Sequence, residues 1–100
     1  MEVWIGLAHV KPRPGNDQLS GSLGAFVPCV GLADNESNFT SALVEFLHKY
    51  EFEVVEIKDT ETFQERQLHA CVDQKVCELA RKLSAENPIE LGSFHSYKET

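Results

Sequence analysis

DNESNFTSALVEFLHKYEFEVVEI, residues 34–57, encodes a helix followed at once by a strand. Phe39, Ala42, Leu43, Phe46, Leu47 and Tyr50 recur at steps of three and four, which places them on one apolar helix face. Asp34 and Asn35 offer side-chain oxygens to cap the first turn, and Glu36 puts a negative charge at the positive end of the helix dipole. The helix is expected to end near Lys49. Phe52–Ile57 then reads as a strand, an apolar set of Phe52, Val54, Val55 and Ile57 interrupted by Glu53 and Glu56. The paired valines break strict alternation, which predicts either a bulge or two partly covered faces.

Upstream, Val3–Val10 reads as a strand whose two alternating sets are both largely apolar, the pattern of a strand covered on both faces or central in its sheet. Residues 11–24 hold Pro12, Pro14, Gly15, Asn16, Asp17, Ser20, Gly21, Ser22 and Gly24, a composition that disfavours a regular ladder and predicts a long loop. Ala25–Ala33 is a second strand. Its Pro28 lacks a donor, which calls for a sheet edge or a bulge.

Downstream, Asp59–Thr62 reads as a polar connection. A second helix is expected from about Phe63 to Ala85, with Leu68, Val72, Val76, Leu79, Ala80 and Leu83 as its buried stripe. Arg66–Cys71 forms either its first turns or a separate short helix. Asn87-Pro88 stops it. Ile89–Tyr97 reads as a last strand, with Ile89, Leu91, Ser93, His95 and Tyr97 on one face.

The order β-β-α-β-α-β over a single domain, residues 1–100, predicts an α+β two-layer sandwich: a four-stranded mixed sheet with two helices on one face. Such a sheet leaves one face uncovered. Trp4 and Phe94 are expected there, where a second copy of the chain would close it as a homodimer.

Composition limits the function. The chain has 100 residues, 42% apolar and 25% charged, ordinary values for a globular domain. No apolar run approaches the roughly 18 residues of a membrane span, and Met1–Val10 lacks the basic start of a secretory leader. With three cysteines and no leader, a disulfide framework is not expected, and the reading is a cytoplasmic protein without membrane contact. The net charge of −7 lies wholly in residues 34–65, where nine acids face Lys49 and Lys58. That acidity repels phosphate backbones, so nucleic acid is not an expected partner. A solvated surface explains it most simply; a basic protein partner is the functional alternative.

No phosphate loop, dinucleotide fingerprint, paired Cys-x-x-Cys, metalloprotease helix or nucleophile elbow occurs. Cys71 and Cys77 stand six apart, about 240° around a helix axis, so they do not chelate together. With Cys29 they read as small apolar residues. No cofactor, metal site or catalytic residue is assigned. His48 and His69 read as surface residues. His9 and His95 each stand near a strand end, and if their strands are adjacent they would meet, with Asp17, as a metal or acid–base site.

Two functions follow. The first is a non-catalytic interaction module, a regulatory or neutralising partner of a basic protein, with Glu45, Glu51, Glu53 and Glu56 as its contact face. The second is a dimeric ligand-binding protein or enzyme, its site lying between the 11–24 loop and the C-terminal strand and built from Arg13, Asp17, His9, His95 and Tyr97. Arg13 sits on a backbone stiffened by Pro12 and Pro14, which favours an anion contact.

Overall fold

The structure, a computed structural model, describes residues 1–15, 23–69 and 74–97. The helix of the opening stretch is α1 (Glu36–Lys49). Asn35 is extended, and its side-chain oxygen accepts a hydrogen bond from the Asn38 amide at 2.8 Å, the cap predicted from its type. Phe39, Leu43 and Leu47 are fully buried, each contributing about 1.5–3 kcal/mol of apolar burial. The helix ends as the Glu51 amide donates to the His48 carbonyl at 3.0 Å, with Glu51 in the left-handed region at φ 65°.

The described residues form a sheet of five strands: β1 (Glu2–Pro12), β2 (Gly24–Ala33), β3 (Phe52–Thr62), β4 (Ile89–Leu91) and β5 (His95–Tyr97). Its order is β3-β1-β2-β4, with β5 also on β2. The α+β class with helices packed on a sheet stands, as does the pairing of the first two strands across the long loop. The sheet has five strands rather than four because the last strand is split. It is antiparallel in every pairing rather than mixed. The reason is the crossover: α1 carries the chain over β1, so β2 and β3 run the same way without touching, and each pairs antiparallel with β1. The central position of β1 accounts for its two apolar sets.

β3 runs to Thr62, five residues beyond the expected Ile57. Its register against β1 passes from His9↔Glu56 to Val10↔Val54, leaving Val55 as the extra residue of a bulge. A second irregularity, between Leu7↔Lys58 and Ile5↔Glu61, contains Asp59 at φ 57°. The stretch 59–62 is polar because β3 is an edge strand, not because it is a loop.

Pro28 explains the split of the last strand. Its carbonyl accepts from the Gly92 amide at 2.7 Å, so its missing N–H faces the same outer edge. β4 pairs with Cys29–Gly31 and β5 with Gly24–Phe26, and the ladder breaks between them. The break also changes sides. Ile89 joins the core under α1 and Phe94 stacks on Phe52, with ring centres 5.2 Å apart, while His95 and Tyr97 lie on the opposite face. The expectation of one shared face for Ile89, Leu91, His95 and Tyr97 therefore fails.

The main core joins Ala8, Val10, Ala25, Val27, Cys29 and Ala33 of the sheet to the buried side of α1. Trp4 belongs to this side: it stacks on Phe39 at 6.4 Å and donates its indole N–H to the Ala33 carbonyl at 3.2 Å. Trp4 and Phe94 are thus not on an open face, which corrects their placement as the seat of a second copy.

Of the expected second helix, the described residues show α2 (Phe63–His69) and α3 (Gln74–Arg81), which ends short of the expected Ala85. Val76 and Leu79 of α3 border Pro28 on the face away from α1, so the helices cover both faces rather than one. The cover there is thin. α3 buries no residue fully, and Leu68, expected in the buried stripe, is 77% exposed. Val72, Cys71 and Asp17 lie outside the described residues. Among the described residues, no helix is long and apolar enough to cross a membrane.

Candidate functional site

The face away from α1 carries one cross-strand row drawn from β3, β1, β2 and β5: Glu56, His9, Phe26 and His95, each directly opposite the next. Side chains of directly opposed residues project to the same side of a pleated sheet. The His9 ring stacks on Phe26 with centres 4.5 Å apart and planes 19° from parallel.

Tyr97 completes the cluster from the neighbouring position of β5. Its hydroxyl lies 2.5 Å from His9 Nε2, and its ring centre is 5.9 Å from that of Phe26. The tyrosine lies over Gly24, its partner in the ladder. A Cβ on Gly24 would stand 2.5 Å from the Tyr97 hydroxyl, so only glycine leaves the path to His9 open. Lys58 holds its ammonium 5.5 Å from the centre of the Phe26 ring, a cation–π contact. His9, Phe26 and Tyr97 are half-buried, and Lys58, Glu56 and His95 are exposed.

Of the residues singled out in the sequence, the structure joins His9 and Tyr97 directly. His95 shares their row, but β2 lies between its strand and β1. The two histidines therefore sit at backbone positions two strand spacings apart, about 10 Å, with Phe26 between them in the row. Among the described residues no cluster of three or more histidine, cysteine or acidic side chains is placed to hold a metal ion. Arg13 turns to the other edge of the sheet: its amide donates to the Glu51 carbonyl at 3.0 Å, and its guanidinium lies 4.0 Å from the Glu51 carboxylate. Asp17 is outside the described residues.

The four glutamates do not share one surface. Glu45 is exposed on α1, on the side of the helix turned from its buried Leu43 and Leu47. Glu56 projects from the opposite face of the sheet, beside His9. Glu51 and Glu53 are exposed near the end of the β3 edge, Glu53 opposite Lys11.

Cys29 lies beneath α1, where burial pushes its thiol up to about 12, and its S–H donates to the Val27 carbonyl at 3.3 Å. That thiol stays protonated and unreactive at ordinary pH.

Phe26, Lys58 and Gly24 escaped the sequence reading. Phe26 read only as one apolar residue of a strand, and Lys58 as one of two bases in an acidic stretch. Their convergence depends on the register of three strands. Gly24 read as loop punctuation, whereas its lack of a side chain is what admits Tyr97.

Taken together, the cluster offers a flat aromatic surface, a histidine–tyrosine hydrogen bond that fixes both rings, a cation at one flank and a carboxylate beside the histidine. Comparison with protein-family models, with curated proteins and with solved structures finds no match.

Proposed function

We propose that the chain is a binding protein that takes a small planar ligand with an anionic group on the His9–Phe26–Tyr97 surface. The observation that carries this reading is the hydrogen bond between His9 and Tyr97, held over Phe26 by the space at Gly24. Binding sites combine apolar or aromatic walls with a few placed polar groups, and this cluster has that make-up. A planar ligand gains from stacking against the rings, and Lys58 supplies the countercharge for its acid group. Fixing the histidine and tyrosine through each other lowers the ordering cost of recognition.

The test is titration of simple aromatic carboxylates, benzoate first, followed by amide chemical shifts. Saturable shifts clustered around residues 7–9, 24–26, 56–58 and 95–97 are expected. They should weaken about five- to tenfold in Tyr97→Phe, which deletes one hydrogen bond of about 1 kcal/mol. Shifts spread over the whole surface, or unchanged in both Tyr97→Phe and Lys58→Ala, would sink the reading.

A second reading, an interaction module for a basic protein, is favoured by one observation: the exposed Glu53 and Glu56 lie on β3, an edge strand of the sheet. Here Glu51, Glu53 and Glu56 form the contact, with Glu45 outside it. Capture of a basic partner that weakens with salt, and is lost on reversing those three charges but not Glu45, is the result expected. Equal loss on reversing Glu45 would speak for non-specific attraction instead.

A further inference from the structure

A cleft lies between α3 and the ladder break at Pro28, on the face of the sheet away from α1. It measures about 530 Å³, within the usual range of ligand pockets. Its floor is apolar: Pro28 of β2 with Val76 and Leu79 of α3, all half-buried. Gly92, in the break itself, shapes that floor, since a Cβ there would stand 2.7 Å from the Pro28 ring and 3.4 Å from Leu79. The rim is polar and exposed. Lys75 stands one turn before Leu79 on the same side of α3, and Ser93 and His95 come from the last segment of the chain.

We infer that this cleft binds a short aliphatic carboxylate, its head at Lys75, Ser93 and His95 and its chain on Pro28, Val76 and Leu79. Three features lead there. The first is charge. Among the described residues, the ionisable side chains of the lining are both bases, in a chain with 16 acids against 9 lysines and arginines. Acids on the flanking elements turn to other partners: Glu78 accepts from the Gln74 side chain at 3.5 Å, and Glu90 from the Asn87 side chain at 2.5 Å. The second is donor type. An ammonium, a hydroxyl and an imidazole N–H all donate, and a carboxylate only accepts, through two oxygens. Lys75 also has a contact within the chain, but an ammonium carries three donors and serves more than one acceptor. The third is shape. A polar rim over an apolar floor matches a charged head on a hydrocarbon chain, and no phenylalanine, tyrosine or tryptophan joins the described lining to favour a ring. The cleft meets the His9–Phe26–Tyr97 row at His95 but needs neither His9 nor Tyr97, so binding here stands apart from the function proposed for that row.

The test titrates the whole chain with hexanoate, with its uncharged amide hexanamide and with acetate, followed by amide chemical shifts. Hexanoate is expected to give saturable shifts centred on residues 27–29, 75–80 and 91–95. Hexanamide should bind about fivefold more weakly, the scale of a charge contact at a partly exposed site. Acetate, which lacks the chain that covers the apolar floor, should bind about tenfold more weakly or less tightly still. Lys75 is exposed, so Lys75→Gln should fold normally. It should weaken hexanoate about three- to fivefold and leave hexanamide unchanged. No saturable hexanoate shift, equal binding of hexanamide or acetate, or unaltered hexanoate affinity in Lys75→Gln would each overturn the inference. Hexanoate shifts at residues 7–9 and 56–58 in place of 75–80 would assign the acid to the aromatic row and overturn it as well.

Discussion

Cys29 and Cys77 are the same residue type with different chemistry, and packing alone separates them. Cys29 is 1% exposed on the sheet under α1, and burial raises its thiol from 9.0 to about 12. Cys77 is half-buried on α3. A thiol reagent at pH 8 should therefore modify Cys77 within minutes and Cys29 only at the rate of opening, a difference read by mass spectrometry. Equal rates would contradict the packing. The same shift sets a pH dependence. Below pH 9 the Cys29 thiol is protonated in folded and unfolded chains alike, and this group adds no slope. Between pH 9 and about 12 the unfolded chain gives up a proton that the native chain keeps, so stability falls as pH rises. The slope is about 1.4 kcal/mol per pH unit. Cys29→Ala should flatten that part of a urea-unfolding series, and an unchanged slope would assign it to other groups.

The elements record how backbone geometry disposes of local irregularity. α1 starts on Asn35, a residue suited to its task, but ends through Glu51 at φ 65°, a position glycine normally fills. A left-handed residue with a Cβ costs about 1–2 kcal/mol, whereas the exposed Arg13–Glu51 contact at 4.0 Å contributes well under 1 kcal/mol. Glu51→Gly should thus raise stability by about 0.5–1 kcal/mol despite losing the ion pair, as measured by chemical denaturation; a loss would mean that the contact outweighs the strain. In β3 the same economy appears as bulges at Val55 and near Asp59 on an acidic edge. Bulges and charge both discourage edge-to-edge pairing of sheets, and Glu53, Glu56, Asp59 and Glu61 of β3 fit that pattern without a partner.

At the scale of the molecule, the two faces of the sheet differ in depth. α1 presses Phe39, Leu43 and Leu47, all fully buried, onto one face, whereas α3 buries none of its residues on the other. Hydrogen exchange should accordingly divide the chain. Amides of β1, β2 and α1 are expected to exchange only on global unfolding, and those of α2 and α3 through cheaper local opening, at least 100-fold faster. Equal protection in α1 and α3 would show one cooperative unit instead. The asymmetry also leaves the His9–Phe26–Tyr97 row partly exposed, because α2 and α3 cover the neighbouring part of the same face.

The sequence by itself determined what depends on near neighbours: the span and cap of α1, the apolar strands on either side of it, the disruption at Val54–Val55, the disturbance at Pro28 and the α+β class. Each rests on a period, a side-chain oxygen or a missing N–H acting within a few residues. It also marked His9, His95, Tyr97 and Arg13 as chemically able, since that follows from residue type. Only the tertiary structure decided which of them meet. β1 lies between β3 and β2, so His9 faces Phe26 rather than His95; Arg13 is drawn to the β3 edge; and the acids are parted between α1 and the far face of the sheet. Strand order and register join residues up to 88 apart in the chain, as His9 and Tyr97 are. Such joining is set by the packing of the whole core, to which no local pattern of residues has access.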